Sequence, residues 1–293
     1  MGSPVRLVFF ARDETRAREA AGAAFAVFER LDAAMSDYRA DSEVTRLAEF
    51  AGRGPVRVSD DLARVLAAAR GFSEASGGAF DVTVGPIVAL WREARRTGVL
   101  PSDAEREAAL ALVGYRRLEV DRAAGTARLA TPGMRVDLGA IGKGYAADRA
   151  LEALEANGVG SALVEAGGDI ALGAAPPGRG GWRIDVPGGG AVVAARRGVS
   201  TSGDLEQFVL AGGRRYSHVV DPATGLGVQH VSTVTVVAPD ATTSDALSSA
   251  LGVVGPGRAK ALAESIGGVE ARLSWRDGDT IVVEETSGFR TER

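Results

Sequence analysis

Hydrophobic residues recur every three or four positions in several parts of this chain of 293 residues, with Ala, Glu and Arg between them. This spacing is typical of amphipathic helices, because it places the apolar side chains on one face. Ser42 and Ser59 precede two of these segments and are suited to accept hydrogen bonds from the first backbone N–H groups. The spacing predicts helices over 14–35 and 59–76, a short helix that follows the polar loop beginning at 36, and a helix in the segment 244–257 that is ended by Gly255-Pro256.

Shorter segments are rich in β-branched residues or alternate between apolar and polar residues, which is the pattern of β-strands. These segments are 5–11, 115–131, 161–173, 231–240 and 271–289. Those with a glycine near their centre are predicted to turn back on themselves. The Gly- and Pro-rich segment 173–182 is interpreted as a long hairpin loop and not as a linker between domains.

Helices and strands are intermixed along the chain, but the strands come mostly as hairpins. That order favours an α+β fold over a doubly wound parallel sheet. The sequence contains no internal repeat and no low-complexity linker. We therefore predict a single domain over residues 1–293, in which a mixed, largely antiparallel β-sheet packs against helices.

The composition excludes several classes of protein. The net charge is −4 and no long Lys/Arg block occurs, so a nucleic-acid partner is not expected. The arginine clusters at 92–96 and 114–120 are mixed with acidic or apolar residues and are interpreted as solvated surfaces. The absence of Cys excludes disulfides, thiolate metal sites, Cys nucleophiles and a lipid anchor on Cys. No segment has the pattern of a signal peptide or approaches the ~20 apolar residues of a membrane span, so a soluble chain without a transmembrane segment is expected.

The stretch "DLGAIGKGYAAD" (137–148) combines the end of a predicted strand, a glycine-rich turn and the start of a helix. Free backbone N–H groups at a helix start, together with the helix dipole, suit a phosphate group, and Lys143 adds a positive charge. The stretch is not a Walker A loop, because Gly144 follows Lys143 where that motif has Ser or Thr. A tight turn with a surface lysine explains the same residues, and the spacing leaves both interpretations open.

The stretch "SDALSSA" (244–250) places Asp245 and Ser249 four residues apart near the start of a predicted helix. Residues at this spacing share one helical face, so the carboxylate and the hydroxyl lie side by side. Such a pair suits a hard cation such as Mg²⁺, which takes one or two protein oxygens together with substrate phosphates. Alternatively, Asp245 only complements the helix dipole.

His218 is one of only two histidines, and Asp221 follows it three residues later. A histidine with a nearby carboxylate is suited to act as a general base. An ordinary histidine at the end of a strand explains the pattern equally. His230 has no acid nearby in the sequence and is interpreted as structural. Asp81 and Asp169 lie in glycine-bearing segments that would otherwise be read as β-turns.

Each of these signals is weak alone, but in their order along the chain they resemble one family, the ApbE family of flavin transferases (FAD:protein FMN transferases). The resemblance extends over nearly the whole sequence. The blocks that carry it are "MGSP" (1–4), "MSDYRADSEVTRL" (35–47), "GGAFDVTVGPIVALW" (77–91), "VDLGAIGKGYAAD" (136–148), "LVEAGGDIALG" (163–173), "STSGDLEQF" (200–208), "YSHVVDPATG" (216–225) and "VTVVAPDATTSDALSSAL" (234–251).

The resemblance implies a Mg²⁺-dependent enzyme that takes FAD as its substrate. Enzymes of this family move the FMN half of FAD through a phosphoester bond to a Thr or Ser hydroxyl of a target flavoprotein and release AMP. Two alternatives stay open, namely an FAD pyrophosphatase that yields FMN and AMP, and a non-catalytic FAD-binding protein. The expected cofactor is Mg²⁺, and the expected partners are FAD and an acceptor flavoprotein.

By the same resemblance, Lys143 is expected beside the phosphates of FAD. His218 is expected to be the general base for the acceptor hydroxyl, with Asp221 holding either the turn or the imidazole. The other residues expected to line the FAD site are Met35, Tyr38, Asp81, Thr83, Glu165, Gly168 and Asp169.

The expected Mg²⁺ ligands are Asp245, Ser249 and a backbone carbonyl near Ala140. The family usually has Thr at the position of Ser249, and Ser keeps the hydroxyl. After the segment "SEVTRL" the family commonly has Asn, whereas this chain has Ala48. The change removes a polar side chain near the flavin and leaves the balance among binding, hydrolysis and transfer open. Members of the family are often exported, so an exported and a cytoplasmic protein both agree with the sequence.

Overall fold

The computed structural model describes residues 3–203, 208–211, 214–230 and 232–292. Two of the sequence blocks named above, 1–4 and 200–208, lie partly outside the described residues. The strands of the described part are β1 Val5–Phe9, β2 Val56–Arg57, β3 Leu118–Asp121, β4 Thr126–Leu129, β5 Ala162–Ala166, β6 Asp169–Leu172, β7 Trp182–Asp185, β8 Ala191–Ala194, β9 Arg197–Gly203, β10 Phe208–Ala211, β11 Arg214–Ser217, β12 Ser232–Ala238, β13 Glu270–Asp277 and β14 Thr280–Glu285. The helices are α1 Glu14–Met35, α2 Glu43–Glu49, α3 Asp60–Ala75, α4 Gly85–Thr97, α5 Asp103–Leu110, α6 Gly142–Ala156, α7 Ala241–Val254 and α8 Ala259–Ser265.

A seven-stranded sheet in the order β1-β5-β6-β9-β12-β13-β14 forms the centre of the fold. Every neighbouring pair in this sheet is antiparallel. Helix α6 packs on β5 and β6, α7 packs on β9 and β12, and the two helices pack on each other. Helix α1 packs on the other side of α6. The predicted α+β fold with a largely antiparallel sheet is therefore confirmed.

The helix signals in the first third of the chain are confirmed. Helix α1 has the predicted bounds, and its apolar face is buried against α6. Ser42 accepts a hydrogen bond from the Thr45 N–H, and Ser59 accepts one from the Leu62 N–H, so both serines cap their helices as predicted. Among the described helices, none combines the length and the apolar character needed to cross a membrane.

Three expectations about the elements need correction. Helix α7 spans Ala241–Val254 and so ends at Gly255-Pro256 as predicted, but it begins before the predicted start at 244, because the Asp240 side chain accepts the Thr243 N–H. The segment 173–182 is not a hairpin loop, since β6 pairs with β9 while β7 pairs with β8. Helix α5 had no counterpart in the expected elements, although Ser102 and Glu105 form a capping box there.

Helices α6 and α7 meet at a glycine. A Cβ atom on Gly144 would lie 2.1 Å from the carbonyl oxygen of Ala241 and 2.8 Å from the Cβ of Asp245. The residues that α6 buries further along are mostly small, including Ala146, Ala147 and Ala150. These small side chains allow the two helix axes to approach closely, so that the first turn of α6 reaches the first two turns of α7.

Asp148 of α6 fixes the start of α7 from outside that helix. Its carboxylate accepts hydrogen bonds from the Ala241 N–H at 2.8 Å and the Thr242 N–H at 2.7 Å, and from the Thr242 hydroxyl at 2.5 Å. Burial raises the pKa of Asp148 to about 6, although these hydrogen bonds act in the opposite direction. The carboxylate therefore orders α7 while it is held in surroundings that favour its protonated form.

This raised pKa predicts how stability changes with pH. Between the ordinary Asp pKa of 3.8 and the folded value of about 6, the folded state binds the proton more tightly than the unfolded chain. The contribution of Asp148 is therefore fully present below pH 4 and is lost as the pH rises through 6. Relative to Asp148→Asn, which does not titrate, we expect wild-type stability to fall by about 2–3 kcal/mol between pH 4 and pH 7. Urea unfolding of both proteins at several pH values measures this difference, and a difference that stays constant would contradict the assignment.

Candidate active site

Three oxygen atoms from separate segments surround the ammonium group of Lys143. Lys143 Nζ lies 2.8 Å from the carbonyl oxygen of Gly139, 3.0 Å from Asp169 Oδ2 and 3.5 Å from Asp245 Oδ1. Asp169 and Asp245 are almost completely buried. The structure thus brings together three of the residues that the sequence singled out, although they are separated by up to 102 positions.

Local backbone geometry explains why these side chains meet. Asp169 begins β6 directly after Gly167 and Gly168, whose φ angles of 59° and 93° are accessible to glycine at little cost. This tight turn reverses the chain between β5 and β6 and directs Asp169 to the first turn of α6. On the other side, the Gly144 N–H donates to Asp245 Oδ2 at 2.9 Å. Asp245 therefore holds one of the backbone N–H groups at the start of α6.

The charges in this cluster depend strongly on one another. Burial, and then the charge of Asp169, raise the pKa of Asp245 to about 7. Burial alone would lower the pKa of Lys143, but the two carboxylates outweigh it and raise that pKa above the ordinary value. The ammonium group is therefore charged at neutral pH and compensates two closely spaced carboxyl groups.

The predicted Mg²⁺ ligands lie on α7 and in the turn before α6, and one of them, Asp245, belongs to the cluster around Lys143. One oxygen of Asp245 is satisfied by Gly144, while the other has only the long contact to Lys143. Ser249 lies four residues further along α7 and is half-buried, and Ala140 is half-buried in the turn before α6. No group of three or more acidic or histidine side chains with metal-site geometry occurs among the described residues. A carboxylate and a hydroxyl are oxygen ligands of the kind that Mg²⁺ takes together with water and phosphate.

The N-cap residue of α6, Ile141, provides no side-chain cap, and the Gly144 N–H in the first turn is satisfied by Asp245 of α7. Asp137 Oδ1 accepts the Gly139 N–H at 2.8 Å and so shapes the turn. The strand end predicted before this turn is wrong, since an isolated bridge between Arg135 and Val84 stands there in place of a strand. The helix dipole and the charge of Lys143 both favour an anion at this end of α6. The predicted phosphate-binding role of this turn is compatible with its geometry.

Asp81 and Thr83 lie inside the protein behind that turn. Asp81 accepts hydrogen bonds from the N–H and the hydroxyl of Thr83 and from the Tyr115 N–H. The Thr83 hydroxyl oxygen accepts the Gly114 N–H at 2.7 Å. Between the two, the Val82 carbonyl accepts the Asp137 N–H at 2.8 Å. Their polar atoms are thus engaged internally, and they support the glycine-rich turn through the backbone.

The remaining residues expected at the FAD site have different surroundings. Met35 is buried at the end of α1, whereas the side chain of Tyr38 is 78% exposed. Glu165 forms an ion pair with Arg6 at 2.7 Å. Gly168 belongs to the turn that carries Asp169. The assignment of these residues to FAD stays a prediction.

His218 lies directly after β11 and is half-buried. The carboxylate of Asp221 accepts hydrogen bonds from the Ala223 N–H at 2.8 Å and the Thr224 hydroxyl at 3.0 Å. Of the two roles left open for Asp221, holding the turn is therefore the one that these contacts support. Trp91 of α4 also holds the turn, since its Nε1–H donates to the carbonyl of Gly225 at 2.9 Å.

A small cavity of about 10 Å³ lies between the segment around His218 and α7. Ser217 and Val219, the neighbours of His218, line it together with His230 and Gly252. His230 Nε2 lies 2.8 Å from the carbonyl oxygen of Gly252, in agreement with its structural interpretation. Gly252 belongs to α7, so the segment that carries His218 lies beside that helix.

Arg92 is a site-forming residue that the sequence did not indicate. Its guanidinium forms ion pairs with Asp37 and Asp137, and it lies over the ring of Tyr38 at 4.5 Å from the ring centroid. The cluster 92–96 was interpreted as a solvated surface, which is wrong for Arg92. Its partners are 45 and 55 positions away, so no local pattern could have indicated them.

A larger cavity of about 520 Å³ lies elsewhere, between α3, α6 and the start of α7. Its lining includes Arg149 and Arg196 but also Glu152 and Asp240, and it does not include Lys143. Its walls carry charges of both signs, as does the cluster around Lys143, so charge alone does not distinguish the two places. The cluster around Lys143 is the better candidate because it contains the residues of the glycine-rich and acidic motifs.

Comparisons with known proteins identify the family of this chain. The model of the ApbE family matches residues 1–273. The FAD:protein FMN transferase of Haemophilus influenzae is 33% identical over 281 residues, which cover 90% of this chain and 81% of that protein. The FAD:protein FMN transferase of Treponema pallidum is 35% identical over 275 residues, covering 86% and 76%.

Solved structures show the same fold. The apo form of the flavinyl transferase ApbE of Pseudomonas stutzeri superposes with a TM-score of 0.86 at 31% identity, covering 97% of this chain and 95% of that one. The ApbE protein of Thermotoga maritima gives a TM-score of 0.86 at 30% identity, covering 98% and 94%. Since the family model spans nearly the whole sequence and its relatives are matched over most of their length, the chain belongs to the ApbE family.

Proposed function

We propose that this protein is a Mg²⁺-dependent FAD:protein FMN transferase and that residues 1–293 act as one catalytic domain. The observation that carries the proposal is the cluster of Lys143, Asp169 and Asp245 at the start of α6. A positive charge, a helix start and a buried carboxylate are what a bound pyrophosphate and its cation require. The names of the relatives, which are FAD:protein FMN transferases, support the same activity.

In this proposal, Lys143 and the start of α6 bind the pyrophosphate of FAD. Asp245, the hydroxyl of Ser249 and the carbonyl near Ala140 would hold Mg²⁺, and the bound ion would neutralise charge on the phosphates. Asp169 keeps Lys143 oriented through the contact at 3.0 Å. Phosphoryl transfer depends mostly on such positioning and charge compensation.

The reaction itself exchanges one P–O bond for another. The acceptor hydroxyl oxygen attacks the phosphorus of the FMN half, the bond to the bridging oxygen of the pyrophosphate breaks, and AMP leaves with that oxygen. His218 takes the proton of the acceptor hydroxyl. The Asp221 turn, held by Trp91 of α4, keeps the His218 segment in place.

One experiment separates this function from its alternatives. The protein is incubated with FAD, Mg²⁺ and an acceptor that carries Thr in a D-G-x-[ST]-G-A-T context, and both AMP release and the acceptor mass are followed. An acceptor that gains FMN supports transfer. AMP without an adduct indicates an FAD pyrophosphatase. That alternative is open because Ala48 stands where the family commonly has Asn. Neither product indicates a non-catalytic FAD-binding protein.

The proposed role of His218 predicts a difference between the two histidines. We expect His218→Gln to lower the transfer rate by about 100-fold, because loss of a general base typically costs this much. His230→Gln is the matched control, since His230 contacts a backbone carbonyl of α7 and no predicted substrate group. Transfer rates from pH 6 to 9 measure both effects. A His218→Gln variant with the wild-type rate over this range would remove His218 from the mechanism.

A further inference from the structure

We infer that Arg92 of α4 is a positioning residue for FAD, which joins the Tyr38 ring to the glycine-rich turn before α6. The inference rests on the proposed function, because it concerns how the same site recognises its substrate. Arg92 makes contacts with two segments that are far apart in the sequence, the loop after α1 and the segment before α6. Its side chain is only 30% exposed.

The contact between Arg92 and the loop after α1 leaves one face of the Tyr38 ring available. The guanidinium carbon of Arg92 lies 4.5 Å from the centroid of the Tyr38 ring, and a neighbouring ion pair to Asp37 fixes its orientation. A planar cation over a tyrosine face is a favourable arrangement. Tyr38 itself is 78% exposed. Arg92 thus holds the ring from one side and leaves its exposed part to a planar group of the ligand.

The contact between Arg92 and the segment before α6 connects Arg92 to the predicted phosphate site. Arg92 donates to Asp137 Oδ2 at 2.7 Å, while Asp137 Oδ1 accepts the Gly139 N–H at 2.8 Å. The carbonyl of Gly139 in turn accepts a hydrogen bond from Lys143 Nζ at 2.8 Å. A continuous series of direct contacts therefore connects the Tyr38 ring to the ammonium group at the start of α6.

Through this arrangement, binding of a planar ring of FAD at Tyr38 and binding of its pyrophosphate at Lys143 depend on each other. FAD carries both groups in one molecule, so a residue that fixes their separation favours the dinucleotide over either half. Arg92 acts through Tyr38 and Asp137 and does not need to touch the reacting atoms. Lysine cannot replace it, because an ammonium group lacks the planar fork that pairs with two carboxylates while stacking on a ring.

The test combines Arg92→Lys with Tyr38→Ala. We expect Arg92→Lys to raise the KM for FAD about tenfold, with kcat at saturating FAD close to that of the wild type. We expect the double variant Arg92→Lys/Tyr38→Ala to weaken FAD binding by less than the sum of the two single effects, because the part of the effect of Arg92 that acts through the ring is already lost in Tyr38→Ala. Arg96→Lys is the matched control, since Arg96 lies on the same helix and pairs with Glu93 at the surface.

The outcomes separate this inference from the function on which it rests. An unchanged KM for Arg92→Lys in an active enzyme would overturn the role of Arg92 and leave the transferase function intact. Additive effects of the two substitutions on FAD binding would also overturn it, since Arg92 would then not act through Tyr38. A wild-type protein that neither binds FAD nor transfers FMN would contradict the proposed function itself.

Discussion

Replacing Asp245 by asparagine is expected to lower FMN transfer by about 1000-fold or more and to abolish its dependence on Mg²⁺. The side chain keeps its size, and its carbonyl oxygen remains able to accept the Gly144 N–H. What disappears is the negative oxygen that faces Lys143. A neutral amide is a poor ligand for Mg²⁺ in a site with so few protein oxygens.

Asp148→Asn is the matched control for this substitution. Like Asp245, Asp148 lies at the contact of α6 and α7 and accepts hydrogen bonds from backbone N–H groups. Asp148 is half-buried. Its hydrogen bonds go to the start of α7, whereas the described contacts of Lys143 go to Gly139, Asp169 and Asp245. The control is expected to change stability but to keep the Mg²⁺ dependence. Metal titration by calorimetry, together with transfer assays, measures both variants, and wild-type Mg²⁺ binding by Asp245→Asn would disprove the proposed ligand.

Replacing Gly144 by alanine is expected to destabilise the protein by about 3 kcal/mol or more, which is the upper range for overpacking. The new Cβ atom would lie 2.1 Å from a backbone oxygen of α7, a distance that no side-chain rotation relieves. The two helices must therefore separate. Separation also weakens the hydrogen bond from the Gly144 N–H to Asp245 and moves the carboxylate away from Lys143. We therefore expect activity to be lost even below the unfolding temperature.

Gly22→Ala in α1 provides the comparison. Gly22 also lies within a helix, but no atom lies within 4 Å of a Cβ atom placed on it. Because alanine is a better helix former, this substitution should stabilise the protein by up to about 1 kcal/mol. Urea unfolding of both variants tests the contrast. Equal stabilities of the two variants would show that α6 and α7 do not meet as closely as described.

The local elements of this fold were largely predictable because their signals are contained in short segments. The bounds of α1 follow from its hydrophobic spacing, and the caps Ser42 and Ser59 were assigned correctly from residue type and position. The turn between β5 and β6 was visible as Gly167-Gly168. Such features depend on interactions within a few residues, and the sequence displays them directly.

The candidate site was predictable only in part. Lys143, Asp169 and Asp245 were each singled out, but each had a plausible structural explanation when considered alone. The resemblance to the ApbE family favoured the functional explanation, and the comparisons show that the family is correct. The interior hydrogen bonds of Asp81 and Thr83 were not predictable, since their partners Tyr115 and Gly114 lie more than thirty positions away.

The sequence by itself determined which residues cap and end the helices, where the hairpins turn, and which glycine-rich and acidic segments are suited to phosphate and cation chemistry. Only the tertiary structure decided that Lys143 lies between two buried carboxylates, that Trp91 contacts the turn after His218, and that Arg92 pairs with Asp37 and Asp137. The physical reason is the range of the interactions. Caps and turns are set by neighbours in the chain, whereas burial and ion pairing depend on which segments the sheet and the close contact of α6 with α7 bring together.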